Sequence, residues 1–152
     1  MDAEPAKKIL IDVARLAPEG ETVVGEADIA GIDEEFVRAE GPASYRLFVQ
    51  AFGDETVARG KVAQDFAFVC SRCGCDFRKR IEAELSASVR LPEREAFADL
   101  TSEARDAVLL EVPNFPVCGG SCPGVPAMPS AGEDPRWNAL EGLDAAKTAK
   151  SN

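Results

Sequence analysis

Between Phe77 and Leu91 the chain alternates almost without error. Phe77, Ile81, Ala83, Leu85, Ala87, Val89 and Leu91 are apolar, Arg78, Arg80, Glu82, Glu84, Ser86, Ser88 and Arg90 stand between them, and Lys79 alone breaks the order. A period of two sustained over such a length cannot be a helix, whose period is 3.6, and prescribes a strand with one buried and one solvated face. The preceding run, "ETVARGKVAQDFAFV", sets Val62, Phe66 and Phe68 against Arg59, Lys61 and Asp65 in the same way. Two such runs joined by "CSRCGCD" fold back as an antiparallel hairpin whose turn carries three cysteines. The expected fold class is therefore α+β and β-rich: an antiparallel sheet with a long central hairpin, short flanking helices and a stapled loop.

Further strands are expected at 8 to 16, at 21 to 29 with a break at Gly25, and in "SYRLFVQAF", where Tyr45, Leu47 and Val49 share a face and a turn at Gly53–Asp54 follows. "DLTSEARDAVLLEV" predicts a short amphipathic helix. Thr101 or Ser102 would be its N-cap and Glu103 would lie in its first turn, with Leu100, Ala104, Ala107 and Val108 at helical spacing. From Pro113 to Pro135 the density of Pro and Gly predicts a loop, and it carries Cys118 and Cys122. Asp134 and Pro135 read as N-cap and first residue of a second helix containing Trp137 and Leu140. With 152 residues and 45% hydrophobic content, one domain over 1–147 with a frayed tail at 148–152 is expected.

The N-terminal "MDAEPAKKILIDVARLAP" has a basic pair before an apolar run, but Asp12 and Arg15 interrupt that run, so it reads as a strand and not as a signal or anchor. The expected compartment is the cytoplasm, where thiols stay reduced and spaced cysteines hold metal or do redox chemistry more often than they form structural disulfides. Cys70-x2-Cys73 and Cys118-x3-Cys122 make two chelating pairs on two loops, and four thiolates complete the tetrahedral shell of one Zn²⁺. A thioredoxin-like dithiol is the redox alternative, but it requires a helix after the pair, and here a strand follows. Packing as a small apolar residue is the third reading and suits Cys75 best, although Cys75 could also replace Cys73 as a ligand.

Four cysteine ligands leave no position for water, which marks a structural site. The chain has no His, so Ser/His and Cys/His pairs are impossible, and the carboxylates (Glu34, Glu35, Asp54 and Glu55 among them) are scattered at turns and solvent faces. The expectation is a protein that is not an enzyme, with no small-molecule substrate and no membrane partner.

A net charge of −10 argues against nonspecific wrapping of nucleic acid. Between Ser71 and Arg94, however, six basic residues face four acidic ones. A four-thiolate zinc centre is itself anionic and would be offset by such basics, and any surplus is free to contact phosphates. Arg72, Arg78, Lys79 and Arg80 are the candidate RNA contacts.

"FVCSRCGCDF", "DLTSEARDAVLLEVPNFPVCGGSC" and "DPRWNALEGL", in this order, resemble the YceD family, the large ribosomal RNA subunit accumulation proteins of bacteria and plastids. The resemblance covers the C-terminal half to two thirds of the chain. It implies a cytoplasmic, non-enzymatic factor supporting large-subunit ribosomal RNA processing or accumulation in ribosome biogenesis. Its partner would be that RNA or a pre-ribosomal particle, met directly or through a protein. The family's metal positions carry over to Cys70, Cys73, Cys118 and Cys122. Many members continue with a further C-x2-C-G, where this chain has Pro126 and Pro129 in "GVPAMPSAG", so a second ligand set is absent. The rival reading is a zinc-stabilised protein-interaction module of another pathway. A basic surface beside the metal favours the first, an exposed apolar groove the second.

Overall fold

The computed structural model describes residues 7–29, 31–91 and 95–125. Contacts divide the chain into two units, 1–122 and 123–152, and every element named here belongs to the first. The helix expected from Asp134 and the tail at 148–152 lie outside the described residues.

The elements in chain order are β1 (Leu10–Asp12), β2 (Glu21–Ala27), β3 (Asp33–Glu34), β4 (Val37–Phe52), β5 (Glu55–Val69), β6 (Asp76–Arg90), β7 (Phe97–Asp99) and α1 (Thr101–Glu111). Strands β2, β4, β5 and β6 form one antiparallel sheet in that order, with β3 also pairing with β4, while β1 and β7 pair separately. The β-rich α+β class and the central hairpin are both present. β5 and β6 pair from Glu55↔Arg90 to Val69↔Asp76 without a slip. Val62, Phe66, Phe68, Ile81, Ala83 and Leu85 are buried on the inner face, against which α1 and the β1–β7 pair complete a single core with Ile9, Ile11, Leu100, Ala104 and Val108. Phe68 stacks on its cross-strand partner Phe77 with ring centroids 5.4 Å apart, so the core continues to the hairpin tip.

Two glycines shape the sheet. Gly60 stands between Leu47 and Leu85 in the register, and a Cβ there would lie 2.1 Å from the Arg46 carbonyl oxygen, so only Gly lets β4 and β5 approach this closely. Gly25 was expected to break β2, yet the strand runs through it. The Tyr45 ring on β4 lies over the glycine, with its hydroxyl oxygen 2.6 Å from where a Cβ would be, and that ring covers the exposed backbone.

Other boundaries differ from expectation. β4 starts at Val37 and not at Ser44 because Gly41 and Pro42, which look like a turn, belong to a bulge between Glu40↔Asp65 and Ser44↔Ala63. Buried Gln64 spans that bulge: its side-chain Nε2 donates to the carbonyls of Glu40 and Gly41, each at 3.0 Å, and of Asp65 at 3.1 Å. The strand expected at 8 to 16 is reduced to β1. Asp12 accepts the Ala14 N–H on its carboxylate and turns the chain into a 3₁₀ segment at Val13–Arg15.

The α1 N-cap is likewise neither Thr101 nor Ser102. Leu100 occupies that position without a side-chain cap, and the Asp99 carboxylate accepts the Thr101 N–H at 2.9 Å. Thr101 is occupied elsewhere, its hydroxyl oxygen accepting the Ile9 N–H at 3.0 Å. Burial works against the Asp99 carboxylate, but the Thr101 hydroxyl and N–H and the nearby Lys8 ammonium outweigh it and hold Asp99 below the usual carboxylate range.

Candidate metal centre

β5 ends at Val69, and residues 70–75 reverse the chain before β6 begins at Asp76. The turn is closed by two backbone bonds, Cys70 N–H to the Cys75 carbonyl at 2.8 Å and Gly74 N–H to the Cys70 carbonyl at 2.9 Å. Gly74 has φ of 73°, a left-handed conformation that a side chain would strain. In this tight form the backbone N–H of Cys73, and secondarily that of Arg72, points at the Cys70 sulfur. Together with the Cys118 N–H, 3.4 Å away, they pull the Cys70 thiol down to about 5 against the opposing effect of its burial. The turn thus stabilises a thiolate before any metal is considered.

The second limb arrives from α1. Val112 ends the helix, Pro113 prevents its continuation, and the chain crosses to the hairpin tip. There Ser71 donates both its N–H, at 2.8 Å, and its hydroxyl, at 2.9 Å, to the carbonyl of the buried Pro116. The Cys122 N–H then donates to the Gly119 carbonyl at 3.2 Å, turning the loop so that both of its cysteines face the first limb.

All five sulfurs meet in one cluster. Those of Cys70, Cys73, Cys75 and Cys118 lie within 4.8 Å of one another, and the Cys122 sulfur lies 3.7 Å from that of Cys70. Cys73 and Cys118 are 3.8 Å apart, and Cys73 and Cys75 3.1 Å. A cluster of four cysteines able to hold a metal ion is therefore part of the fold. The donors are uniformly soft sulfurs, which suits zinc and other thiophilic metals and not the hard, oxygen-seeking ones.

Packing is not the role of Cys75. It is exposed at the end of the turn, whereas Cys70 is the buried cysteine. The position before a strand's first pair projects from the sheet end, so alternation within β6 does not bury it. The Cys73–Cys75 contact lowers the Cys73 thiol and raises the Cys75 thiol. Burial and the surrounding sulfurs push Cys118 up. No helix follows the Cys70–Cys73 pair, and β6 stands where the dithiol chemistry of a thioredoxin-like site would need one.

Three of the four basic candidates, Arg78, Lys79 and Arg80, border one open pocket with Glu40, Gly41 and Asp65, and Arg72 is not among its lining residues. Arg78 and Arg80 share the outer face of the sheet and are already paired, Arg78 with Glu40 at 2.9 Å and Arg80 with Asp65 at 3.0 Å. Lys79 stands between them on β6, paired in register with Phe66, and Arg72 lies exposed in the turn. Beside the tip is a cleft of about 480 Å³ bordered by Phe36, Val37 and Phe77 and by Glu34, Glu35 and Arg78. Among the described residues no helix is long and apolar enough to cross a membrane. Comparison of the chain with protein-family models, with curated proteins and with solved structures returns no match.

Proposed function

We propose that the sulfur cluster holds one zinc ion on Cys70, Cys73, Cys118 and Cys122, with Cys75 beside the shell, and that the protein so stapled is a non-enzymatic factor in large-subunit ribosomal RNA accumulation. One observation carries the metal assignment. A tetrahedron of thiolates at ~2.3 Å from zinc has sulfur–sulfur edges of about 3.8 Å. The Cys70–Cys122 and Cys73–Cys118 separations, 3.7 Å and 3.8 Å, match two opposite edges of it. The four sulfurs that lie mutually within 4.8 Å include Cys75 and not Cys122, so the choice of Cys122 as fourth ligand rests on its pairing with Cys118 in sequence and on its 3.7 Å approach to Cys70. When bound, zinc supplies a cross-link between the hairpin tip and the loop after α1. The chain's own contribution is the set of N–H groups that hold Cys70 as a thiolate and the Ser71–Pro116 bonds that dock the second limb.

The ribosomal part of the reading rests on the three sequence motifs, the first two of which supply the cysteines of the cluster. Its test is pull-down of the tagged protein with sequencing of the recovered RNA. Enrichment of large-subunit precursors is expected, and recovery of those precursors no better than from an untagged control overturns it. The interaction-module reading is favoured by the cleft beside Phe36 and by the ion pairing of Arg78 and Arg80, which leaves fewer free cations at the tip. Under that reading the same pull-down yields a protein and no ribosomal RNA.

A further inference from the structure

We infer that the outer face of the five-stranded sheet is a docking surface for single-stranded RNA, centred on Arg46, Phe48, Arg59 and Lys61. The inference rests on the RNA-associated reading above and places the contact on the open sheet instead of at the hairpin tip.

The cross-strand register makes these four residues a block. Arg46 lies opposite Lys61, and Phe48 opposite Arg59, on the paired strands β4 and β5. All four are exposed, because α1 and the β1–β7 pair pack against the other face. Two cations directly opposite each other on antiparallel strands repel, so Arg46↔Lys61 destabilises the sheet unless something anionic lies over it.

The rest of this face shows how the chain ordinarily treats outward arginines. Arg38, Arg78, Arg80 and Arg90 are each paired with an acid, Asp33, Glu40, Asp65 and Asp54 respectively. Arg46, Arg59 and Lys61 make no ion pair among the described residues, and Lys61 leaves its β6 neighbour Glu84 unengaged. Acids outnumber bases in this chain by 27 to 17, so partners are plentiful. Three adjacent unpaired cations therefore stand out as a local site for an anion.

The aromatic residue decides which polyanion. Phe48 is 45% exposed, and its ring is seated against the backbone of Gly20, where a Cβ would come within 2.6 Å of Cζ. Phe52, 56% exposed, follows four positions along the same face. An acidic peptide has use for the cations but not for a fixed exposed ring. Single-stranded RNA uses both, its phosphates on the cations and its bases stacked on the ring, with the Arg59 guanidinium as a neighbouring planar partner. The acidic remainder of the surface repels the strand, so binding is confined to this block and falls steeply with salt.

The test titrates the purified full-length, metal-replete protein into a short fluorescent single-stranded RNA of mixed sequence, at several salt concentrations, with polyglutamate as the competing polyanion. Binding is expected for the unaltered protein. The triple variant Arg46→Gln, Arg59→Gln, Lys61→Gln should weaken it and make the log–log salt slope shallower by about 2, for three lost phosphate contacts to a single strand. Phe48→Ala should weaken it about ten-fold with the slope unchanged, the signature of lost stacking. The Arg72, Arg78, Lys79, Arg80 to Gln variant should bind as the unaltered protein does. Melting curves serve as the control for folding, and the triple variant, which removes the Arg46–Lys61 repulsion, should melt no lower than the unaltered protein.

If the unaltered protein binds RNA and the triple variant binds with the same affinity and slope, the sheet face is wrong while the RNA reading stands. If polyglutamate competes as well as RNA and Phe48→Ala changes nothing, the surface belongs to an acidic protein. If pull-down recovers ribosomal RNA but the purified chain binds none, the RNA is reached through another protein and the sheet face is again wrong.

Discussion

Withdrawal of the metal perturbs the fold at one definable point, and its size can be worked out beforehand. A shared ion on Cys73 and Cys118 closes a loop over the 44 residues between them. On the loop-entropy relation for a cross-link, that closure restricts the unfolded chain by about 4 kcal/mol. The folded state keeps its own attachments at the tip, because the two Ser71 bonds to the Pro116 carbonyl and the closing bonds of the 70–75 turn do not involve the ion. The sheet core around Leu47, Val62, Phe66 and Leu85 lies along β4, β5 and β6 and not at the cluster. Chelation should therefore leave the strand signal in far-UV circular dichroism intact at low temperature and lower the melting midpoint by roughly 15 °C, at a few degrees per kcal/mol for a unit of this size. Metal content must be measured on the same samples. Coincident melts with the metal shown to be gone would refute the staple, and unfolding in the cold would mean that the ion supports the core itself.

Cys73→Ser should abolish stoichiometric zinc and Cys75→Ser should retain it, as read by metal analysis after metal-replete expression; equal loss from both would put Cys75 in the shell in place of Cys122. Gly60→Ala should destabilise by about 3 kcal/mol or prevent folding, because its Cβ meets the Arg46 carbonyl oxygen at 2.1 Å, and a denaturant midpoint close to wild type would contradict that close approach. Gln64→Leu should cost about 2 kcal/mol by leaving the bulge carbonyls of Glu40 and Gly41 without their donor, visible in the same denaturant titration. Asp99→Ala should cost about 1 kcal/mol through loss of the bond to the Thr101 N–H. Because the folded Asp99 carboxyl is held below its ordinary value, that difference should be complete above the unfolded carboxylate pKa of ~3.9 and vanish as pH falls through the lower folded value. A difference independent of pH would mean that the carboxylate charge plays no part.

The hairpin was legible because β5 and β6 are long and one-sided, so a period of two is repeated many times and the register follows from which residues must be buried. Short elements had no such signal. β1, β3 and β7 have two or three residues each, below the length at which alternation exists, and they form only because neighbouring chain supplies their partners. The break expected at Gly25 does not occur and β4 begins before Ser44, because a cross-strand ring at Gly25 and a glutamine bridging the bulge at Gly41 hold residues that suit turns within the sheet. The cysteine spacing predicted that the two groups would meet. It did not carry the exposure of Cys75, because side-chain direction in a six-residue turn depends on backbone angles that spacing does not specify. The ion pairs of Arg78 and Arg80 were hidden similarly, since Glu40 lies beyond the bulge and Asp65 becomes a neighbour of Arg80 only through the register.

β6 also sits at the margin of the sheet, and among the described residues nothing pairs with its outer side. Fifteen residues of open backbone are, in principle, a template for fibril growth. In a fibril built by parallel, in-register stacking, each layer would set Arg78 and Arg80 ~4.8 Å above their own copies, and Glu82 and Glu84 above theirs. Repulsion would then recur at every layer with no opposite charge to relieve it. The alternation that directs one face of β6 into the core thus also makes the strand a poor seed for aggregation, for as long as those side chains keep their charge.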